Sequence, residues 1–137
     1  MAEDSLEEFL KAVVPALRAD AAVAAVVGEK VYTHVPQGTA MPYLEVGDST
    51  TQQPFDAKDF NGDDMTFQLD GWSETSSMLQ ISQLMGAARR LLNRNNLLVV
   101  TGHQLVDIRW EFGQVLREPD GITRHGVARY RVTTVPQ

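Results

Sequence analysis

The chain has 137 residues, no cysteine and a formal net charge of −6 at pH 7, with 43% hydrophobic and 22% charged residues. These values predict one folded domain over residues 1–137 with a sizeable core, and they differ from those of a disordered chain. The acidic balance argues against a surface that grips nucleic-acid phosphates, and the lack of cysteine excludes a disulfide framework or a thiol site.

The first residues give no sign of export. Residues 1–4 read Met-Ala-Glu-Asp, which is acidic where a signal peptide would be basic. No apolar run approaches the roughly 20 residues of a membrane span. We therefore expect a soluble intracellular product.

Two helices are predicted before residue 28. Asp4 or Ser5 is available to cap the first helix, and Pro15 should kink or break it. Asp20 can cap a second, short helix over residues 21–27, which Gly28 would end in the left-handed conformation. The apolar side chains of the first helix recur at helical spacing: Leu6, Phe9, Leu10, Val13, Val14 and Leu17.

Three extended segments follow. Residues 31–35 predict a short strand or an extended arm, and residues 43–47 predict a strand. Residues 65–72 give a clearer strand that ends at Trp72, because their apolar and polar side chains alternate. One face of this strand carries Met65, Phe67 and Leu69.

A long polar segment separates two of these strands. Residues 48–64 are rich in Ser, Thr, Gln, Asp and Gly, with Phe55 and Phe60 as isolated aromatic residues. An irregular segment of this length is uncommon inside a compact domain and is usually functional or disordered. The alternative is a solvated hairpin tip, and the sequence favours neither.

A further helix is predicted over residues 76–93. Ser77 and Gln80 have the spacing of a capping box. Arginines at the other end are typical of a last helical turn, where they offset the helix dipole, and a phosphate site is the weaker explanation for them. They are Arg89, Arg90 and Arg94, and the apolar stripe of this helix is Ile81, Leu84, Met85, Ala88, Leu91 and Leu92.

The last third of the chain predicts a hairpin. Residues 97–100 predict a short strand, and residues 106–112 and 127–135 alternate apolar with charged side chains. The whole pattern predicts an α+β fold, with two main helices packed on one face of an antiparallel or mixed sheet that has long hairpin loops. The side chains expected inside are Phe9, Leu10, Val13, Phe67, Leu69, Leu84, Ala88, Leu91, Ile108, Trp110 and Tyr130.

A charged turn joins the two hairpin strands. Pro119 presets φ for a turn, Asp120 can bond its own backbone, and Gly121 can adopt the left-handed conformation that closes a bulged hairpin. These three residues need no function to explain them. The turn also carries residue types that concentrate binding energy at interfaces and that no turn requires: Arg117, Ile122 and Arg124.

The sequence contains no common catalytic motif. His34, His103 and His125 each lie in or beside a predicted turn or strand end, without a second ligand at metal spacing. The acidic residues of 56–64 lack the EF-hand pattern, and neither a Gly-Xaa-Ser-Xaa-Gly elbow nor a glycine-rich phosphate loop occurs. We expect no enzyme, metal or cofactor. A small enzyme or ligand-binding domain would instead show a pocket where a histidine and carboxylates converge.

Three distinct features occur in a characteristic order along nearly the whole chain. They are Val35-Pro36-Gln37-Gly38 with Pro42-Tyr43, the strand ending in Trp before a helix, and the sequence Pro-Asp-Gly-Ile-Thr-Arg-His-Gly at residues 119–126. Together they resemble the tail-completion, or tail-terminator, family of long-tailed bacteriophages and gene transfer agents. The resemblance implies a small α+β subunit that forms a hexameric ring at the head-proximal end of the tail tube. Such a ring stops tube polymerisation, docks to the head-side connector and has no catalytic residues.

The resemblance also implies partners and a location. The partners would be further copies of the chain, the tail tube protein and a head-side stopper or connector, with no membrane. Genome DNA would cross an acidic lumen without specific binding, since anionic walls offer phosphates no counterion-release gain. The location would be the head-proximal end of the virion tail, after assembly in the bacterial host cytoplasm. Another neck role, such as a stopper or adaptor, or a host-encoded interaction module, stays open. The candidate contact residues are Pro36, Gln37, Phe55, Phe60, Arg117, Ile122 and Arg124.

Overall fold

The computed structural model describes residues 4–56, 61–75, 77–95 and 97–137, without the side chains of residues 55 and 56. Within those ranges it has three helices and five strands. The helices are α1 (Ser5–Ala19), α2 (Ala21–Val27) and α3 (Met78–Leu92). The strands are β1 (Val31–Tyr32), β2 (Tyr43–Asp56), β3 (Asn61–Ser73), β4 (His103–Arg117) and β5 (Arg124–Pro136).

The five strands form one mixed sheet in the order β1-β2-β3-β5-β4. β1 runs parallel to β2, and every other pair is antiparallel. The α+β prediction is therefore confirmed, with α2 as a third helix between α1 and α3. β1 pairs with β2 only at Val31–Leu44 and Tyr32–Glu45, so it is shorter than the predicted strand over residues 31–35.

The helix ends follow the predicted caps with two differences. The carboxylates of Asp4 and Asp20 accept hydrogen bonds from backbone N–H groups of α1 and α2. α1 continues through Pro15, so the predicted break was wrong, and the proline ring removes one backbone donor from the helix. Gly28 has a positive φ of 64°, but its ψ of −125° lies outside the left-handed helical region.

The N-terminus of α3 uses one half of the predicted capping box. The Ser77 hydroxyl accepts a hydrogen bond from the backbone N–H of Leu79. The Gln80 amide oxygen instead accepts a 2.5 Å hydrogen bond from the Ser73 hydroxyl at the end of β3. The predicted capping box was therefore wrong, because Gln80 bonds the Ser73 side chain of the sheet instead of the N-cap residue of α3.

Two strand predictions also needed correction. Residues 48–56 and 61–64 continue β2 and β3 as a long hairpin, so the irregular loop was wrong and the hairpin alternative was right. Residues 97–100 form no strand. Leu97 and Val99 are 85% and 81% exposed, whereas Val100 is buried. The apolar residues of this run are therefore buried or exposed one by one, and they do not form the continuous face of a strand.

The core lies between the helices and one face of the sheet. Phe9 of α1 lies over Phe67 with ring centroids 5.1 Å apart, and Phe67 stacks on Tyr130 of β5 at 5.2 Å. Most side chains predicted inside are buried, but Leu10, Leu91 and Trp110 are only partly buried. α3 approaches the sheet at two glycines, Gly71 and Gly126, where an added Cβ would meet Met85 at 2.7 Å.

Candidate interaction surface

One face of the sheet lies away from α1 and α3. Cross-strand register places Tyr43, Trp72, His125 and Leu116 in a row over β2, β3, β5 and β4 at one end of this face. The first three are half-buried and Leu116 is 37% exposed. Three aromatic rings and a leucine thus line the open face where the sheet ends.

His125 is the centre of this row. Its ring stacks on Trp72 with centroids 3.8 Å apart and an interplanar angle of 9°. Its Nε2 lies 2.6 Å from a carboxylate oxygen of Asp70, and its Nδ1 lies 3.6 Å from Glu118. Asp70 is 2% exposed and also accepts a 3.0 Å hydrogen bond from the amide of Gln68.

This cluster is the place where a histidine and carboxylates converge. Both imidazole nitrogens of His125 face carboxylates and one ring face is covered by an indole. A general base needs a ring nitrogen directed at a nucleophile or a substrate, whereas here Nε2 bonds Asp70 and Nδ1 faces Glu118 at a distance too long for a hydrogen bond. The arrangement therefore satisfies the buried Asp70 carboxylate and fixes the end of the sheet.

The turn beside this row has the predicted chemistry. Asp120 accepts hydrogen bonds from the backbone N–H groups of Ile122 and Thr123 and from the Thr123 hydroxyl, at 2.6–2.8 Å. The Thr123 hydroxyl and these N–H groups hold the pKa of Asp120 below its usual range. Gly121 has a φ of 76°, the positive value expected of the glycine in this turn.

The turn places its three candidate contact residues differently. Ile122 is 54% exposed and Arg117 is exposed. Arg124 is only 8% exposed and interacts within the chain, so its guanidinium is not the exposed anchor that the sequence suggested. Two of the three side chains remain accessible to a partner.

The remaining candidates lie at both ends of the sheet. Pro36 and Gln37 are exposed in the segment that enters β2 at Tyr43, which is the same end as the turn. We call this end, formed by residues 36–43 and 116–125, the turn end. Phe55 pairs through its backbone with Gly62 at the opposite, hairpin end, and Phe60 lies outside the described residues.

The hairpin end is held by polar contacts to α1 and β5. The amide of Gln52 donates 3.0 Å hydrogen bonds to Asp4 and to Ser5, and the Ser5 hydroxyl donates to Asp63. Arg131 donates two hydrogen bonds to the Asp64 carboxylate, which holds the pKa of Asp64 below its usual range. The long hairpin is thus tied to its neighbours at its base.

Two further properties concern the described part of the chain. No three His, Asp or Glu side chains are grouped there in a way that would hold a metal ion. None of its helices is long and apolar enough to cross a membrane.

One family matches the chain over most of its length. The sequence model of the family described as tail completion protein gp17 matches residues 11–134. The chain belongs to this family. It is accordingly a structural protein of phage-type tails. No curated protein sequence matches the chain at a significant level.

A solved structure shares the fold of this tail completion protein. It is a chain of the virion of a native gene transfer agent particle, with a TM-score of 0.87 and 23% sequence identity. The match covers 98% of the tail completion chain and 99% of the other chain. At this level of identity the likeness establishes a common fold over the full length of both chains.

Proposed function

We propose that the chain forms a homo-hexameric ring that ends the tail tube at its head-proximal end and joins the tube to the head-side connector. The observation that carries this proposal is the match to the tail completion family over residues 11–134. The role is structural rather than catalytic, since the convergence of His125, Asp70 and Glu118 satisfies a buried carboxylate. The ring would be assembled in the bacterial host cytoplasm and retained in the virion.

The shape of the sheet supports a ring. Its two edges, the short β1 beside β2 and the long β4, lie on opposite sides. A closed ring requires a heterologous contact, in which one patch of each subunit meets a different patch of the next. The two ends of the sheet then face along the ring axis, where the turn end and the hairpin end would meet the tube and the connector.

The turn end has the residues of a docking surface. Ile122 and Leu116 are exposed apolar side chains beside the exposed Arg117 and the half-buried Trp72. Interfaces enrich arginine and aromatic residues around a buried apolar centre. We assign contacts with an axial partner to this end, and we propose Phe55 and Phe60 as further contact residues.

The lumen of the ring would be compatible with DNA passage. Each chain has a formal net charge of −6, so repetition around a ring gives an acidic collar. Phosphates gain affinity by displacing condensed counterions with cationic side chains, and an acidic wall offers no such gain. DNA would therefore pass through without being held.

Deletion of the gene from the genome that encodes the particle tests this proposal. The expected result in electron micrographs is tubes of uncontrolled length, or tails that do not join heads. Complementation with Ile122→Ser combined with Arg117→Glu should fail in the same way, although the variant melts normally because both side chains are exposed. The control, Leu97→Ser with Arg129→Glu, makes the same kinds of change at exposed residues away from the turn end and should complement.

The same experiment separates the neck roles. Tubes of normal length that fail to retain DNA or to attach to heads would indicate a stopper or adaptor. Normal particles after gene removal would contradict a tail-completion role for the chain.

A further inference from the structure

The charges of the chain are divided between its two halves. Residues 1–74 contain fourteen Asp and Glu but four Lys and Arg, whereas residues 75–137 contain four Asp and Glu but eight Arg. Such an asymmetry can be read directly from a sequence and indicates an electrically polarised molecule or an interaction surface.

The fold places the two halves of the chain toward opposite edges of the sheet. The acidic half supplies α1, β1, β2 and β3, and the basic half supplies α3, β4 and β5. The separation is partial, because Lys11, Arg18 and Lys30 lie on the acidic side and Asp107 and Glu111 lie on the basic side. One edge of the sheet is predominantly acidic and the other predominantly basic.

The acidic edge is formed by α1, β1 and β2. Its half-buried and exposed carboxylates are Glu7, Glu29, Glu45 and Asp48. Burial and the neighbouring Asp48 carboxylate raise the pKa of Glu45. Asp48 itself is exposed and has no ion-pair partner among the described residues.

The basic edge is formed by the last turn of α3 and by β4. Its exposed guanidiniums are Arg89, Arg90, Arg94 and Arg109. Arg89 lies 3.8 Å above the ring of Trp110, which fixes it beside β4. Arg94 and Arg109 share one carboxylate, that of Asp107, at 3.0 and 3.6 Å. The cluster therefore keeps a net positive charge.

Both edges also carry apolar surface. Leu10, Val14 and Pro15 line a groove of about 440 Å³ on the outer side of α1. Phe112 is 44% exposed and Val106 is 49% exposed on β4. A contact between the two edges would bury an apolar centre within a charged rim, which is the common anatomy of protein interfaces.

We propose that copies of this chain associate head to tail, with the acidic α1–β1–β2 edge of one subunit against the basic α3–β4 edge of the next. This inference rests on the proposed ring and adds the pair of surfaces that closes it. A second copy of the chain is the partner that fits both edges, because each molecule carries both charge signs and both apolar patches. Complementary potentials also set the direction of assembly, since two like edges repel each other.

Charge reversal with mixing tests the pairing. Asp48→Arg at the acidic edge and Arg109→Glu at the basic edge should each prevent the wild-type oligomer in analytical ultracentrifugation and native mass spectrometry. Both sites are exposed, so the thermal melts of the subunits should match the wild type. Raising the salt concentration should weaken the wild-type oligomer, because exposed charges are screened. Arg129→Glu is the control, because Arg129 is exposed on β5, inside the sheet.

Mixing the two variants gives the decisive result. The reversed edges complement each other and the unreversed edges remain complementary, so the mixture should form closed oligomers in which the variants alternate at 1:1. If both charge-reversal variants assemble as the wild type does, the edge pairing is overturned and the proposed ring is not. A wild-type chain that stays monomeric at every concentration and salt would overturn the pairing too. The gene-removal experiment would still decide the tail-completion role by itself.

Discussion

Trp72 and His125 face each other across β3 and β5 with their rings stacked 3.8 Å apart. The same imidazole binds Asp70, which is 2% exposed. The pair thus joins the open face of the sheet to a buried carboxylate at the turn end.

His125→Ala should destabilise the fold by about 1–3 kcal/mol, because it leaves the Asp70 carboxylate without its main partner. A urea titration followed by tryptophan fluorescence and circular dichroism measures the loss. His34→Ala is the control, since His34 is exposed and its removal should change stability by about 0.5 kcal/mol or less. Equal stability of both variants would show that Asp70 does not need the imidazole.

Leu84→Ala should cost about 2–5 kcal/mol of unfolding free energy, since Leu84 is fully buried between α3 and the sheet. Leu79 lies on the same helix and is 72% exposed. Leu79→Ala should therefore leave the denaturation midpoint nearly unchanged. A large effect at Leu79 with a small one at Leu84 would reverse the assigned faces of α3.

Gly126→Ala should destabilise by about 1–3 kcal/mol through overpacking. The added Cβ would lie 2.7 Å from Cγ of Met85 and 3.1 Å from Cγ1 of Ile81. Gly86→Ala, within α3, has only an Arg90 nitrogen at 3.5 Å and should stabilise by up to about 1 kcal/mol. Opposite signs in the two thermal melts would support the close approach of α3, and a stabilised Gly126→Ala would contradict it.

Because of Asp64, the free energy of unfolding should fall as the pH is lowered into the acid range. The Arg131 guanidinium lowers the pKa of this carboxyl in the folded state, so the unfolded chain binds the proton more readily. The resulting stabilisation is complete above the unfolded pKa and disappears as the pH falls through the lower, folded pKa.

Urea titrations from pH 7 to pH 2 measure this dependence. Asp64→Asn and Arg131→Gln should both lose less stability than the wild type over the acid range, because each removes the same ion pair. Parallel curves for all three proteins would show that the pair does not contribute.

Local signals made much of the fold predictable. Asp4, Asp20 and Ser77 cap helices because a short polar side chain reaches the first free N–H groups, and this needs no knowledge of the tertiary fold. The amphipathic stripes of α1 and α3 are equally local. The Asp120–Gly121 turn followed from turn chemistry for the same reason.

The long hairpin was harder to predict because polar contacts between strands hold it. The hydroxyls of Thr51 and Thr66 hydrogen-bond at 2.5 Å, and Arg131 of β5 reaches Asp64. Such pairs stabilise a solvated hairpin without the apolar alternation that identifies a strand.

The candidate surface was predictable only in part. The exposure of Ile122 follows from its place in a turn, but the burial of Arg124 depends on groups brought together by the fold. The stacking of His125 on Trp72 joins residues far apart in the sequence. The charge asymmetry was available in the sequence, but only the sheet order shows that it separates two edges.

The most direct test of the central claim is an electron cryomicroscopy reconstruction of the head–tail junction of the particle that carries this chain. The account predicts a closed hexameric ring of the chain between the last tube ring and the head connector. Its acidic α1–β1–β2 edge should touch the basic α3–β4 edge of the next subunit. Absence of the chain from that junction, or its presence elsewhere in the particle, would contradict the account.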